Sequence, residues 1–293
     1  LRYAAVDTGS NAVRLLIADI IQNDGTLTFK KNTLIRVPLR LGDDAFLQHH
    51  ISDKKADDLV KTMAAFKNLM DVYKVNDYMA CATSAMREAE NGPEIIKRIK
   101  EVANLNLEII HGEREASIIY ASHIGIDLDE SKTYLYIDVG GGSTELSLFD
   151  AGELVASQSF NIGTIRILDN QDKDETWKEM QDFVRKHTKA HKLIYGVGTG
   201  GNINKLFKLS DEKDGEPLSY SKLKSLYSFL SSYSLKDRIN VLKLNQDRAD
   251  VIIPACEIYT TVMKWANIKH IFVPSVGMAD GIIQTLIEKN LLK

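Results

Sequence analysis

Two short segments carry the residue types that phosphate chemistry needs. Asp7-Thr8-Gly9-Ser10-Asn11 and Asp138-Val139-Gly140-Gly141-Gly142-Ser143 each set an acid at the end of an apolar run, add a glycine-bearing turn, and enter a second apolar run. Glycines in such a turn let backbone N–H groups point into a shared concavity with no Cβ in the way. Ser10, Asn11, Ser143 and Thr144 add short side-chain donors. The acids do not bind phosphate directly, because like charges repel. They suit a Mg2+ (or another divalent cation) that bridges, directly or through water, to phosphate oxygens. Asp7 and Asp138 are therefore expected as metal-associated acids. Either one alone reads equally well as a turn-stabilising residue; as a repeated pair they favour the cation.

Three further segments and one histidine pair have the right residue types. Gly196-Val197-Gly198-Thr199-Gly200-Gly201 follows a strand and opens a helix. A dinucleotide-binding reading fits poorly, since no clean βαβ unit with a ribose-binding acid surrounds it. A third phosphate- or nucleotide-facing loop at a helix N-terminus is expected instead, with Gly198, Thr199, Gly200 and Gly201 as its residues. Thr83-Ser84-Ala85-Met86-Arg87 offers two hydroxyls and a guanidinium suited to bidentate phosphate contact, or merely an N-cap with an exposed Arg. Gly112-Glu113-Arg114-Glu115-Ala116 opens a helix, where acids commonly serve only as dipole partners. His187 and His191 stand four apart among Lys186, Lys189 and Lys192, which reads as a solvated helix face rather than a metal pair.

These segments need elements to position them. The chain has 293 residues, 44% apolar and 26% charged, which suits about two ordered globular domains. The net charge of −3 gives no support for binding a nucleic-acid polymer, so any polyanion must meet local clusters. No apolar run reaches the ~18 residues needed to span a bilayer, and no signal peptide opens the chain. A cytoplasmic protein with no membrane contact is expected, its Cys81 and Cys256 buried as core thiols.

Strands are expected over Tyr3–Val6, Ala12–Ile21 and Thr26–Val37, with Asn23-Asp24-Gly25 as a hairpin turn. Ser52 is a plausible N-cap for a helix through Leu59, Met63, Phe66 and Met70. The opening layout then recurs at Thr133–Ile137 and Thr144–Phe149. An offset of 131 superposes Tyr3 on Tyr134, Asp7 on Asp138, Gly9 on Gly140, Leu15 on Leu146 and Asp19 on Asp150. Five matches in register predict two similar domains. Later elements read as a strand over Leu193–Tyr195, a polar loop over Ser210–Ser219, a helix over Gln246–Trp265 and a closing helix over Met278–Glu288.

Taken together, Ala4–Asn11, Ala82–Ala89, Gly112–Ala116, Ile137–Glu145 and Arg248-Ala249-Asp250 resemble, in order and spacing, the exopolyphosphatase/guanosine pentaphosphate phosphohydrolase family. The resemblance covers nearly the whole chain, whereas the two Asp–Gly turns alone would mark only the wider actin-like, sugar-kinase and chaperone-ATPase superfamily. It implies an α/β fold of two ribonuclease-H-like (actin-like ATPase) domains, 1–124 and 125–293, with the active site in the cleft between them and the last helix able to pack back on the first domain. It implies Glu115 as the catalytic group that orients or deprotonates the attacking water, and Glu145 as a second acid near metal and water. Gly9, Ser10, Asn11, Arg14, Thr83, Ser84, Arg87, Gly140, Gly141, Gly142, Ser143 and Thr144 become the expected phosphate-binding residues. The expected reaction is Mg2+-assisted hydrolysis of terminal phosphates from inorganic polyphosphate, with pppGpp as the alternative substrate and a homodimer as the expected assembly. Longer family members carry extra C-terminal helical domains that this sequence lacks, so chains of short to medium length are expected. A small-molecule kinase and a non-catalytic polyphosphate or alarmone sensor are the remaining alternatives.

Overall fold

The computed structural model describes residues 1–23, 26–121, 129 and 131–291. The hairpin turn expected at Asn23-Asp24-Gly25 and the boundary expected after residue 124 lie outside the described residues. Two compact units form, Leu1–Ile124 with Val276–Lys293, and Gly125–Ser275.

In the first unit, β1 (Arg2–Thr8), β2 (Val13–Asn23) and β3 (Thr26–Val37) form an antiparallel meander. Strand β4 (Asp77–Ala82) runs parallel to β1, and β5 (Glu108–Ile109) parallel to β4, giving the order β3-β2-β1-β4-β5. Strand side chains alternate between faces. Tyr3 and Ala5 share a core with Ile118 and Ile119 of the helix Gly112–Ala121 and with Ile282, Ile283 and Leu286 of the helix Met278–Leu291.

The second unit repeats the plan. Its meander is β6 (Thr133–Val139), β7 (Thr144–Asp150) and β8 (Glu153–Phe160); β9 (Ile194–Thr199) lies parallel to β6. Strand β11 (His270–Phe272) runs parallel to β9, and β10 (Leu218–Ser219) closes the far edge antiparallel to β11. The sheet order is β10-β11-β9-β6-β7-β8. Leu135, Ile137 and Leu146 pack on Val184, Leu206, Leu223 and Tyr259 from four helices. The 131-residue offset holds in the register itself: Asp7 pairs across its hairpin with Arg14, and Asp138 with Glu145. The α/β class and the doubled architecture are thus those expected.

Three local expectations are corrected. The helix expected over Gln246–Trp265 is two, Gln246–Ala249 and Ile252–Trp265. Pro254 has no N–H to give the carbonyl of Asp250, and its ring crowds that carbonyl, so the helix restarts there. The polar loop expected over Ser210–Ser219 ends in β10. His187 and His191 do not share a helix face. Their helix ends at Thr188, His187 packs on the Phe183 ring at 4.7 Å, and His191 lies 3.6 Å from the Asp150 carboxylate. Both cysteines are buried.

Candidate active site

The two turns are built alike. Gly9 N–H donates to the Ala12 carbonyl at 3.2 Å, and 131 residues on Gly140 N–H donates to the Ser143 carbonyl at 2.9 Å. Behind the first turn, the carbonyls of Asn11 and Ser10 accept from the N–H groups of Arg40 (3.0 Å) and Gly42 (2.9 Å) at the start of the helix Leu41–Gln48. Behind the second, Gly140 and Gly141 accept from the N–H groups of Thr164 (3.1 Å) and Ile165 (2.8 Å) in the helix Thr164–Leu168. The Gly142 carbonyl accepts from Arg166 Nε at 2.6 Å. In a planar trans peptide the N–H points opposite to the C=O. Tying these carbonyls back therefore turns the amides of Gly141, Gly142 and Ser143 to the other side, as an anion cradle requires. The approach is close: a Cβ on Gly163 would lie 2.4 Å from the Gly141 oxygen.

In the first unit, Thr83 and Ser84 bond to the first turn, and Arg87 of the same short helix reaches Glu115. Ser84 Oγ is 2.9 Å from Ser10 Oγ, both buried, and Thr83 N–H donates to the Thr8 carbonyl at 3.1 Å. Thr83 occupies the N-cap position of the helix Ser84–Glu88 without a side-chain capping bond. Arg87 is not an exposed side chain. Its Nη1 donates to the Ile110 carbonyl at 2.7 Å and stands 3.8 Å from Glu115 Oε2. Glu115 is 8% exposed although it lies in a first helical turn. Asp7, 5% exposed, is engaged by Arg14, whose Nη1 donates to it at 2.7 Å.

In the second unit, the position matching Arg14 holds Glu145, so Asp138 faces an acid where Asp7 faces a base. Directly opposite side chains on an antiparallel pair start ~5 Å apart. Glu145 is 4% exposed and accepts from Ser159 Oγ at 2.8 Å. Two adjacent carboxylates fit Mg2+, which takes one or two protein carboxylates and completes its shell with water and substrate phosphate. Among the described residues no group of three or more His, Cys, Asp or Glu could form an all-protein cage. Thr144 Oγ1 donates to the buried Ile162 carbonyl at 2.6 Å, which makes it a tie of the turn to the segment behind it.

The third loop adjoins this acid pair. Thr199 stands beside Asp138 in the β6–β9 register, and Gly198 precedes it on the same strand. Gly200 has φ +98° at the N-cap of the helix Gly201–Leu209, and a Cβ there would sit 2.9 Å from Asp138 Oδ1. The Arg248 guanidinium donates to the Gly201 carbonyl. Tyr259 Oη, fully buried, donates to the Thr199 carbonyl at 2.5 Å. Burial, reinforced by the charge of Asp138, holds this hydroxyl well above its ordinary pKa of 10.0, so it remains a donor. Arg166 and Tyr259 were not singled out from the sequence. The only cue for Arg166 was a Gly-Thr-Ile-Arg step after the third strand of the meander, and for Tyr259 its place in an apolar helix.

Comparison with known proteins finds relatives over nearly the whole chain. Over 98% of its length the chain is 26% identical to a bifunctional 3-dehydroquinate synthase/phosphatase of Fusobacterium nucleatum, of which it spans 47%. It is 24% identical to a guanosine-5'-triphosphate,3'-diphosphate pyrophosphatase of Aliivibrio fischeri, covering 98% of this chain and 59% of that protein. The chain thus spans about half the length of these curated relatives. The solved structure of an exopolyphosphatase from Cytophaga hutchinsonii superposes with a TM-score of 0.82 at 24% identity, covering 99% of this chain and 98% of that one. The family model described as the Ppx/GppA phosphatase family matches residues 21–290. With that match covering nearly all of the chain, the chain belongs to the Ppx/GppA phosphatase family.

Proposed function

We propose that this chain hydrolyses terminal phosphates from inorganic polyphosphate. The observation that carries this reading is Glu115, a buried carboxylate held beside Arg87, whose own segment is bonded to the first phosphate turn. A buried carboxylate of this kind can act as general base to an attacking water molecule or, in a kinase, to an acceptor hydroxyl; membership of a phosphatase family favours the water molecule. Glu115 would orient that water and take its proton. Backbone amides of the two turns would hold the phosphate oxygens, with Arg14 and Ser10 adding donors at the first. Asp138 and Glu145 would hold Mg2+, which when bound supplies neutralising charge to the phosphates. Catalysis would then come mainly from positioning and electrostatics, as in other phosphoryl transfers.

The deciding experiment follows orthophosphate release from tripolyphosphate, long-chain polyphosphate, pppGpp and ATP, each with and without Mg2+. The Glu115→Gln protein is expected to lose roughly 10²–10⁴-fold in kcat with polyphosphate binding retained. Unchanged orthophosphate release by that variant would sink the assignment. A pppGpp 5′-phosphohydrolase is the second reading, favoured by the Aliivibrio relative's name and by the third loop beside Asp138. It wins if pppGpp is turned over with a kcat/KM above that of every polyphosphate.

A further inference from the structure

We infer a second anion-binding site on the Gly125–Ser275 unit, at the opposite end of its sheet from Asp138, that takes a small phosphate-bearing anion. A surface cavity of about 440 Å³ opens where β10 and β11 meet the end of the helix Ile252–Trp265. Three of its nine lining residues, Lys264, Lys269 and His270, carry basic side chains, and none of the nine is acidic. In a chain with 40 acidic and 37 basic residues, a patch of this kind needs a reason.

Elsewhere the exposed Lys97 and Lys132 each meet a carboxylate. No side-chain hydrogen bond or ion pair is made by Lys264, Lys269 or His270 among the described residues. The two lysine charges are held at one cavity without internal compensation, which raises the local potential for an anion. The site does not depend on the nearby helix start. Tyr220 N–H is spent on the Lys269 carbonyl, and Ser219 Oγ accepts from Lys222 N–H. The buried apolar Met263 and Ile268 form part of the wall, so the cavity suits an anion carrying an organic body as well as a bare oligophosphate.

Its position separates it from the proposed reaction site. His270 precedes Ile271, which pairs with Gly196, and Asp138 pairs with Thr199. The two sites are therefore about four residues, or ~13 Å, apart along the strands and two strands (~10 Å) apart across the sheet.

The test is an amide-resolved NMR titration of the full chain, in wild type and in the Lys264→Gln/Lys269→Gln protein. The probes are inorganic phosphate, tripolyphosphate and ATP at millimolar concentration. Amides of residues 219–222 and 267–270 are expected to shift and saturate with at least one probe. The double variant should weaken that binding roughly tenfold, about 1.4 kcal/mol. Shifts from tripolyphosphate or phosphate alone mark an inorganic ligand, and shifts reaching Met263 and Ile268 only with ATP mark an organic one. Silence of these amides with all three probes, or equal affinity in the double variant, overturns the inference. Either result leaves the proposed hydrolysis standing, because Glu115 and Asp138 are untouched by the substitutions.

Discussion

A single exchange within the repeat separates the two phosphate turns chemically. Where the first sheet sets Arg14 opposite Asp7, the second sets Glu145 opposite Asp138. Asp7 therefore has a cation of its own, while Asp138 and Glu145 together would need one from solution. Asp138→Asn is expected to raise the Mg2+ concentration for half-maximal phosphate release by about tenfold or more, the loss of one carboxylate ligand. Asp7→Asn should leave that Mg2+ titration nearly unmoved. It should instead cost about 2 kcal/mol in urea unfolding, because it leaves a half-buried Arg14 without its partner. If both variants shift the titration equally, the division of labour is wrong. Arg166 is argued from the backbone. Arg166→Met would leave the Gly142 carbonyl without its donor, at about 1–3 kcal/mol, and should raise KM for polyphosphate more than it lowers kcat. These differences in legibility are physical. The acids and glycines of the turns announce themselves because their types are unusual at strand ends. Arg166 does not, because its bond is to a carbonyl 24 residues away. Glu115 stood out only through family resemblance, since an acid in a first helical turn is common.

Elements were legible where one periodicity persisted and obscure where a distant partner set the boundary. The doubled meander shows in sequence because alternating apolar strands and a fixed offset are local signals. The break before Ile252 needed weight on Pro254, and the strand β10 had only two residues to show. Ser52 shows both sides. It does occupy the N-cap position of the helix Asp53–Val72, yet its hydroxyl makes no cap bond and donates to Asp44 Oδ2 at 2.5 Å. Asp44 also accepts from Ser52 N–H at 3.0 Å and Lys55 Nζ at 2.7 Å, so one carboxylate fastens the start of this helix to the helix Leu41–Gln48 behind the first turn. Burial pushes the Asp44 carboxyl up, but the bonds from Lys55 and Ser52 outweigh it and hold the pKa below its ordinary 3.8. A depressed folded-state pKa stabilises fully above the unfolded value and is lost as pH falls through the folded one. Asp44→Asn should therefore cost about 1–3 kcal/mol at pH 7. Its deficit against wild type should shrink as pH drops below about 4. A deficit that stays constant in urea melts from pH 7 to pH 3 would show that ionisation of Asp44 is not what fastens the helix.

At the scale of the whole chain, the first unit is discontinuous: it is completed by Val276–Lys293, after the second unit has been spelled out. The apolar spacing of Met278, Ile282, Ile283 and Leu286 announces a buried helix but not which sheet it covers. In the structure the helix Met278–Leu291 lies on β1 and on the helix Gly112–Ala121, and it is tied at both ends. Asp280 meets Lys31 of β3 at 2.6 Å, and Asn290 Nδ2 donates to Asp77 at the start of β4 at 3.1 Å. Gly281 sets how near the two helices come, since a Cβ there would lie 1.8 Å from the Ile118 carbonyl oxygen. Ile118 is three residues beyond Glu115 and so on nearly the same helix face. A methyl group at 281 cannot be accommodated by a rotamer change, because the obstacle is backbone. Gly281→Ala should thus cost about 3 kcal/mol, the upper end for overpacking, and displace the helix that carries Glu115. The expected result in hydrogen exchange is faster opening of β1, β4 and the helix Gly112–Ala121, with β6, β7 and β9 still protected. Phosphate release should fall through kcat, because the Gly140–Ser143 turn is anchored by Thr164, Ile165 and Arg166 and not by this helix. Equal loss of protection at Leu135 and Ile137 would mean instead that the two units unfold as one, and that the closing helix is not what limits the stability of the first.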